Sequence, residues 1–201
     1  MKRIVFAFVL VLGFLLILSA PLTSFAQDGK GGYITVKPGV YSPTSDLDHK
    51  GFESGFNGEV AVGTYYTPNL ALEAAIGYYQ TEASKRGADF DEEDDVWVIP
   101  VTISFKGVLP VKPLELSLGV GGGVYFANIN ADGHVSSEGF STDDSAVAWG
   151  AHAVAGATVD IGPKVFLGVE GKYVVTTTAD LLDTKVNLNG FMLTGVLGYR
   201  F

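Results

Sequence analysis

The sequence predicts an all-β chain closed into an eight-stranded antiparallel up-and-down transmembrane β-barrel. Three observations predict it. From residue 27 onward, large apolar residues alternate with small or polar ones at period two, and no stretch carries the helical period. No apolar run in that part is long enough to cross a bilayer as a helix, yet mean hydropathy over the chain is +0.29. Finally, the connections alternate between short turns and long polar loops, as in a meander with one end in a confined compartment and the other outside.

The N-terminus stands apart from this pattern. Lys2 and Arg3 precede an apolar run from Ile4 to Leu18, and Ser24 and Ala26 put small residues at the −3 and −1 positions of a cleavage site. That is the layout of a secretory leader, and the run falls short of the ~20 residues a spanning helix needs. Residues 1–26 are therefore expected to be a cleaved secretory signal peptide, and residues 27–201 the barrel domain.

Strands are expected near 33–42, 55–66, 70–81, 96–106, 114–127, 147–161, 165–176 and 189–201. The fourth shows the two faces: Trp97, Ile99, Val101, Ile103 and Phe105 on one, Val98, Pro100, Thr102, Ser104 and Lys106 on the other. In the fifth, Leu114, Leu116, Leu118, Val120, Val124 and Phe126 alternate with Glu115, Ser117, Gly119, Gly121, Gly123 and Tyr125. Short turns fall at Thr67-Pro68-Asn69, from Gly107 to Pro113, and at Gly162-Pro163-Lys164. Long polar connections fall at 43–54, 82–95, 128–146 and 177–188. An even strand number leaves both termini at the short-turn end.

Periodicity does not say which face points inward, because a soluble eight-stranded barrel also alternates. Side-chain volume decides. An eight-stranded barrel is only just wide enough for side chains to fill, and the apolar face carries far too many large ones. The opposite face, rich in Gly, Ala, Ser and Thr, fits. The apolar band therefore points outward, where water would make it an aggregation liability and lipid would solvate it. Closure also pairs the backbone groups that hydrocarbon cannot hydrate. Outward aromatics form two girdles: Tyr78, Trp97, Phe126, Trp149, Tyr173 and Phe191 near the long-loop rim, Tyr66, Phe105, Tyr199 and Phe201 near the other.

Composition closes several routes to function. Net charge is −9, and −11 once Lys2 and Arg3 leave with the leader, which argues against nucleic acid as a partner. There is no cysteine, hence no disulfide, thiolate metal site or lipidated cysteine. The 26 glycines are about twice the usual ~7% share and sit inside the alternating segments.

The stretch VIPVTISFKGVLPVKPLELSLGVGGGVYF, residues 98 to 126, resembles the central hairpin of the small eight-stranded bacterial outer-membrane barrels, a family that includes the barrel of outer-membrane protein A and outer-membrane proteins W and X. The likeness spans the mature chain, mostly as pattern. It implies a monomer in the outer membrane of a Gram-negative bacterium, in contact with outer membrane lipid and lipopolysaccharide, delivered by periplasmic chaperones to the barrel-assembly machinery. Phe201 resembles the family's C-terminal assembly signal, with Tyr199 in the supporting position. A glycine expected three residues before that penultimate aromatic falls at 196, where this chain has Val.

The inward face carries the candidate site. Lys37, Glu59, Glu73, Lys106, Glu115, Asp160, Glu170, Lys172 and Arg200 all project into the lumen at this strand parity. Single charges there would be prohibitively costly, so they are expected to pair or hydrate. Lys106 and Glu115 are expected to pair across the second short turn, while Glu59, Glu73, Glu170, Lys37, Lys172 and Arg200 form a mid-to-lower belt. Such a network serves either as a gate that exchanges partners to open a narrow path or as a polar plug, and residue identity leaves both open. The porin-like or structural reading stands beside a second one, adhesion or recognition through the long loops.

Other features offer less. DFDEEDD, residues 89 to 95, places six acids in seven positions of an expected loop. Oxygen clusters attract Ca²⁺ or Mg²⁺, but the stretch lacks the glycine and distant glutamate of an EF-hand, so a solvated acidic loop is expected. His49 and His134 fall in loops and His152 faces the lumen, which specifies no metal site. His134 and Ser136 in GHVSS resemble the spacing of barrel enzymes that modify lipid A, yet no strand presents them to lipid. No enzymatic activity and no cofactor are expected.

Overall fold

The computed structural model describes residues 31–44, 53–86, 90–135, 138–181 and 184–201, with backbone alone at 82–86, 90–95, 129–135, 138–144, 179–181 and 184–186. The expected leader, His49 and Ser136 lie outside the described residues. Among the described residues ten strands form: β1 (Gly32–Pro43), β2 (Gly55–Thr67), β3 (Leu70–Arg86), β4 (Phe90–Val111), β5 (Leu114–Val135), β6 (Glu138–Asp160), β7 (Val165–Thr176), β8 (Thr178–Leu181), β9 (Thr184–Asn187) and β10 (Gly190–Arg200). Eight of them close a barrel in the order β1-β10-β7-β6-β5-β4-β3-β2. Every pairing is antiparallel, and Tyr33↔Arg200 through Pro43↔Gly190 closes the seam. The hairpin β8–β9 stands apart within the last long connection. The start of β1 and the end of β10 meet at the short-turn rim, where the Phe201 N–H donates to the Gly32 carbonyl at 3.0 Å.

Four strands, β3 to β6, run longer than the sequence pattern indicates. Residues expected as loops at 82–95 and 128–146 continue the β3–β4 and β5–β6 ladders, so most of the acidic stretch lies in β4, with Asp91 opposite Arg86 and Glu92 opposite Lys85. His134 likewise belongs to β5 and not to a loop. The physical reason is that alternation reports lipid on one face, whereas backbone pairing persists in water once the register is set. The six residues Phe90 to Asp95 carry β4 roughly 15 Å beyond Val96 along the barrel axis. At the other rim the expected turn from Gly107 to Pro113 shrinks to Lys112 and Pro113, because Gly107–Val111 stays paired with Leu114–Leu118.

The faces are oriented as volume requires. Trp149, Leu118, Phe105 and Phe201 are outward and more than half exposed, whereas Tyr41 and Tyr79 are wholly buried in the bore. Both tryptophans point away from the lumen. Two prolines interrupt the ladders, since neither can donate a hydrogen bond. At Pro38 the β1–β10 ladder skips from Val36↔Leu197 to Gly39↔Thr194 with the register kept. At Pro100 the β3–β4 ladder skips from Ile76↔Val101 to Tyr79↔Val98, again in one register.

Inside, the bore is filled in layers. An outer layer holds Tyr41, Tyr79, Tyr125, Val98, Val174 and Leu188, with the Tyr41 and Tyr79 ring centroids 4.3 Å apart. Leu188 comes from the connection between β9 and β10. Its N–H donates to the Thr176 hydroxyl at 2.9 Å, and the Tyr41 hydroxyl donates to the Asn189 carbonyl at 3.1 Å, which ties that connection across the mouth. An inner layer near the short turns holds Tyr33, Tyr65, Phe166, Val108 and Val196. Glycine makes room for these rings. A Cβ at Gly190 would overlap the Tyr41 ring and one at Gly198 would overlap Phe166. Val196, which stands where the family signal has glycine, packs in the inner layer.

Candidate functional site: the lumen ion network

Between the two aromatic layers lies a belt of six buried charges. Lys37 on β1 is directly opposite Glu59 on β2, Glu73 follows on β3 and Lys106 on β4, and Glu170 and Lys172 reach across from β7. The Lys37 ammonium donates to Glu59 Oε1 at 3.0 Å, Glu73 Oε1 at 2.7 Å and Glu170 Oε1 at 3.0 Å, so all three of its protons are used. Lys106 donates to Glu73 Oε1 at 2.7 Å and to Glu170 Oε2 at 2.6 Å. Lys172 pairs with Glu59 Oε2, and the Tyr33 hydroxyl donates to Glu73 Oε2 at 3.0 Å.

Three ammonium groups and three carboxylates balance, and every carboxylate oxygen of the three has a donor. This satisfies the condition under which buried charges are tolerated, since desolvation is offset only when geometry is good and the remaining lone pairs are occupied. Glu59, Glu73 and Glu170 each bring an oxygen to within 4.8 Å of the others, the arrangement of a cation site, and the Lys37 ammonium fills the position a metal ion would take.

A second tier lies toward the short-turn rim. Arg200 on β10 pairs with Asp160 and with Glu115 at 3.4 Å, and its guanidinium stacks 4.3 Å from the Phe166 ring centroid. The Tyr65 hydroxyl donates to Glu115 Oε1 at 2.8 Å.

The structure thus brings Lys37, Glu59, Glu73, Glu170 and Lys172 together as expected, and corrects two expectations. Lys106 does not pair with Glu115. Lys106 lies opposite Gly119, four residues and roughly 13 Å along β5 from Glu115, and it joins the belt instead. Arg200 lies outside the belt, in the rim tier with Glu115 and Asp160. Tyr199 and Phe201 sit outward at the closing rim, with the Lys164 ammonium 5.6 Å from the Tyr199 ring centroid. His152 is buried in the lumen with Nε2 2.8 Å from the Ser104 hydroxyl; its ring rests on Gly121, where a Cβ would collide with it.

Sequence reasoning missed the lumen tyrosines as layers sealing the belt on both sides. The usable signal was glycine on the strand beside each ring, such as Gly63 against Tyr33 and Gly150 against Tyr125.

Comparison with known proteins agrees with this architecture. The sequence profile of the outer membrane protein β-barrel domain matches residues 11–201. No curated protein matches by sequence. Among solved structures, Neisserial surface protein A is 16% identical, over 87% of this chain and 100% of that one, with a TM-score of 0.56. The outer membrane protein OprG from Pseudomonas aeruginosa is 13% identical, over 86% of this chain and 97% of that one, also with a TM-score of 0.56. Those two likenesses carry the fold, and the profile carries the family. The chain belongs to the outer membrane protein β-barrel domain family and is an eight-stranded β-barrel protein of the bacterial outer membrane.

Proposed function

We propose that the chain is a structural outer-membrane barrel with a closed bore, holding its extended hairpins at the cell surface, and not a pore. One observation carries this reading: the Lys37 ammonium spans the lumen on three carboxylates from β2, β3 and β7, with aromatic layers on either side. The protein is exported by a leader over residues 1–26, delivered by periplasmic chaperones, and inserted by the barrel-assembly machinery reading Tyr199 and Phe201. It works as a monomer, since closure leaves no free edge within the membrane band. Among the described residues the buried Ser104 and His152 pair carries no catalytic role, because His152 Nδ1 has no partner to orient the imidazole.

Planar-bilayer conductance of the purified protein tests this reading. No current above background is expected from wild type or from Glu59→Ala and Arg200→Ala variants. Stepwise current from wild type that changes with Glu59→Ala overturns it in favour of a gate. A second reading, recognition through the surface hairpins, draws support from the 22 and 23 residues of β5 and β6, far more than the ~9–11 a bilayer crossing needs. Shortening the β5–β6 hairpin while host or ligand binding stays unchanged removes that support.

A further inference from the structure

The two ends of the barrel differ in charge as well as in length. In the sequence, the four long connections of the outer end, 43–54, 82–95, 128–146 and 177–188, hold sixteen acidic residues against four basic ones. The short-turn rim is the reverse. Its two side-chain carboxylates among the described residues, Glu115 and Asp160, are both engaged by Arg200. That leaves Lys112 in the β4–β5 turn and Lys164 in the β6–β7 turn, both exposed and with no carboxylate partner among the described residues.

Lys164 does not simply extend into water. Its ammonium lies 5.6 Å from the centroid of the Tyr199 ring, within cation–π range, and Tyr199 is an outward residue of the lower aromatic girdle. The backbone sets this up: the Arg200 N–H donates to the Lys164 carbonyl at 2.7 Å, which fastens the turn beside the end of β10. A ring face holds no oxygen, so the ammonium keeps its three donors for another acceptor. On the membrane side lie Leu167 and Leu197, directly opposite one another on β7 and β10 and both exposed.

We propose that Lys164, held over Tyr199, docks the phosphate of an anionic phospholipid in the periplasmic leaflet, with the acyl chains lying on Leu167 and Leu197. Charge complementarity and place name the occupant. The cation sits at head-group height with a continuous apolar surface on its membrane side, which a lipid covers and a soluble anion does not. The inference goes beyond the closed-bore reading and stands apart from it, since it concerns the outer wall and not the lumen.

Local quenching by brominated lipid tests it. The chain has two tryptophans, so Leu167→Trp in a Trp97→Phe/Trp149→Phe background leaves a single reporter beside Lys164, while the unaltered chain reports the outer girdle. Each is folded into phosphatidylcholine vesicles containing brominated phosphatidylglycerol or brominated phosphatidylcholine, and checked for the migration shift between unboiled and boiled samples. At the Leu167→Trp reporter, phosphatidylglycerol is expected to associate about three- to fivefold more strongly than phosphatidylcholine. The ratio should fall to near one with Lys164→Gln, and in about 1 M NaCl, where the Debye length is ~3 Å. At Trp97 and Trp149, beside the acidic connections, it should be one or less. No preference at the Leu167→Trp reporter, or a preference that survives Lys164→Gln, overturns the site. If Lys112→Gln, on a different turn, removes the preference as completely as Lys164→Gln, the effect belongs to the potential of the whole rim, and the site is overturned equally.

Discussion

Removing the Lys37 ammonium is the sharpest perturbation of the belt. Lys37→Met keeps the stem length and volume but deletes three hydrogen bonds of 2.7–3.0 Å, leaving three carboxylates facing two ammonium groups. Breaking a buried pair by deleting one partner costs about 3–5 kcal/mol, because the other charge stays buried. With a urea dependence of about 2 kcal/mol per M, the midpoint of unfolding from lipid vesicles should fall by about 2 M, followed by tryptophan fluorescence or by loss of the fast-migrating unboiled band. The distances also rank the rescues. Without Lys37, Glu59 keeps Lys172 to itself, whereas Glu73 and Glu170 must share Lys106. Neutralising one of the sharers, as in Lys37→Met/Glu170→Gln, should recover more stability than Lys37→Met/Glu59→Gln. A loss below about 1 kcal/mol for Lys37→Met, the range of an exposed pair, or the reverse ranking of the two double variants, would refute the belt as described.

Three further outcomes follow from the packing and the faces. Gly190→Val forces a side chain into the Tyr41 ring and should lower stability by about 1–3 kcal/mol, the range for overpacking; a Tyr41→Ala/Gly190→Val chain no less stable than Tyr41→Ala alone would verify the cause, and a Gly190→Val midpoint equal to wild type would disprove the contact. Trp97 and Trp149 face lipid, so brominated acyl chains should quench most of the tryptophan emission of the reconstituted protein, and unquenched emission would place them in the bore. Phe201→Ala should reduce the folded protein recovered from outer membranes several-fold while leaving refolding from urea into detergent nearly unchanged; equal loss in both assays would assign Phe201 to packing and not to assembly.

How much was legible in the sequence follows from what alternation measures. Period two reports a difference between two faces, so it located the membrane-spanning part of all eight barrel strands. It fell silent at Glu82 and again at Asn128, where the sequence stops alternating although the ladders run on to Arg86 and Val135. Turn residues fixed Pro68-Asn69 and the bend near Gly162, but Gly107 read as a turn when it is a paired strand residue opposite Leu118. Parity alone placed Lys37, Glu59, Glu73, Glu170 and Lys172 in the lumen. It could not supply their height along the barrel, which depends on the stagger of neighbouring strands. That stagger is what sets Lys106 beside Glu73 and Glu170 and leaves Glu115 to Arg200 and Tyr65.

The saturation of the belt bears on whether a gate could be built from it. A gate that works by exchanging partners needs a second acceptor within reach of the ammonium that moves. Each carboxylate oxygen of Glu59, Glu73 and Glu170 already accepts from an ammonium or a phenol. The next carboxylate toward the periplasm, Glu115, already accepts from Tyr65 and pairs with Arg200. Swinging Lys37 downward would therefore break three bonds before forming one, and would leave Glu59, Glu73 and Glu170 with two ammonium groups in a site that excludes the outer solvent. Even then the tyrosine layer tied to Leu188 and Asn189 would still close the outer half. Opening this bore requires two separate rearrangements, which is why electrostatic exchange alone favours a plug over a channel here.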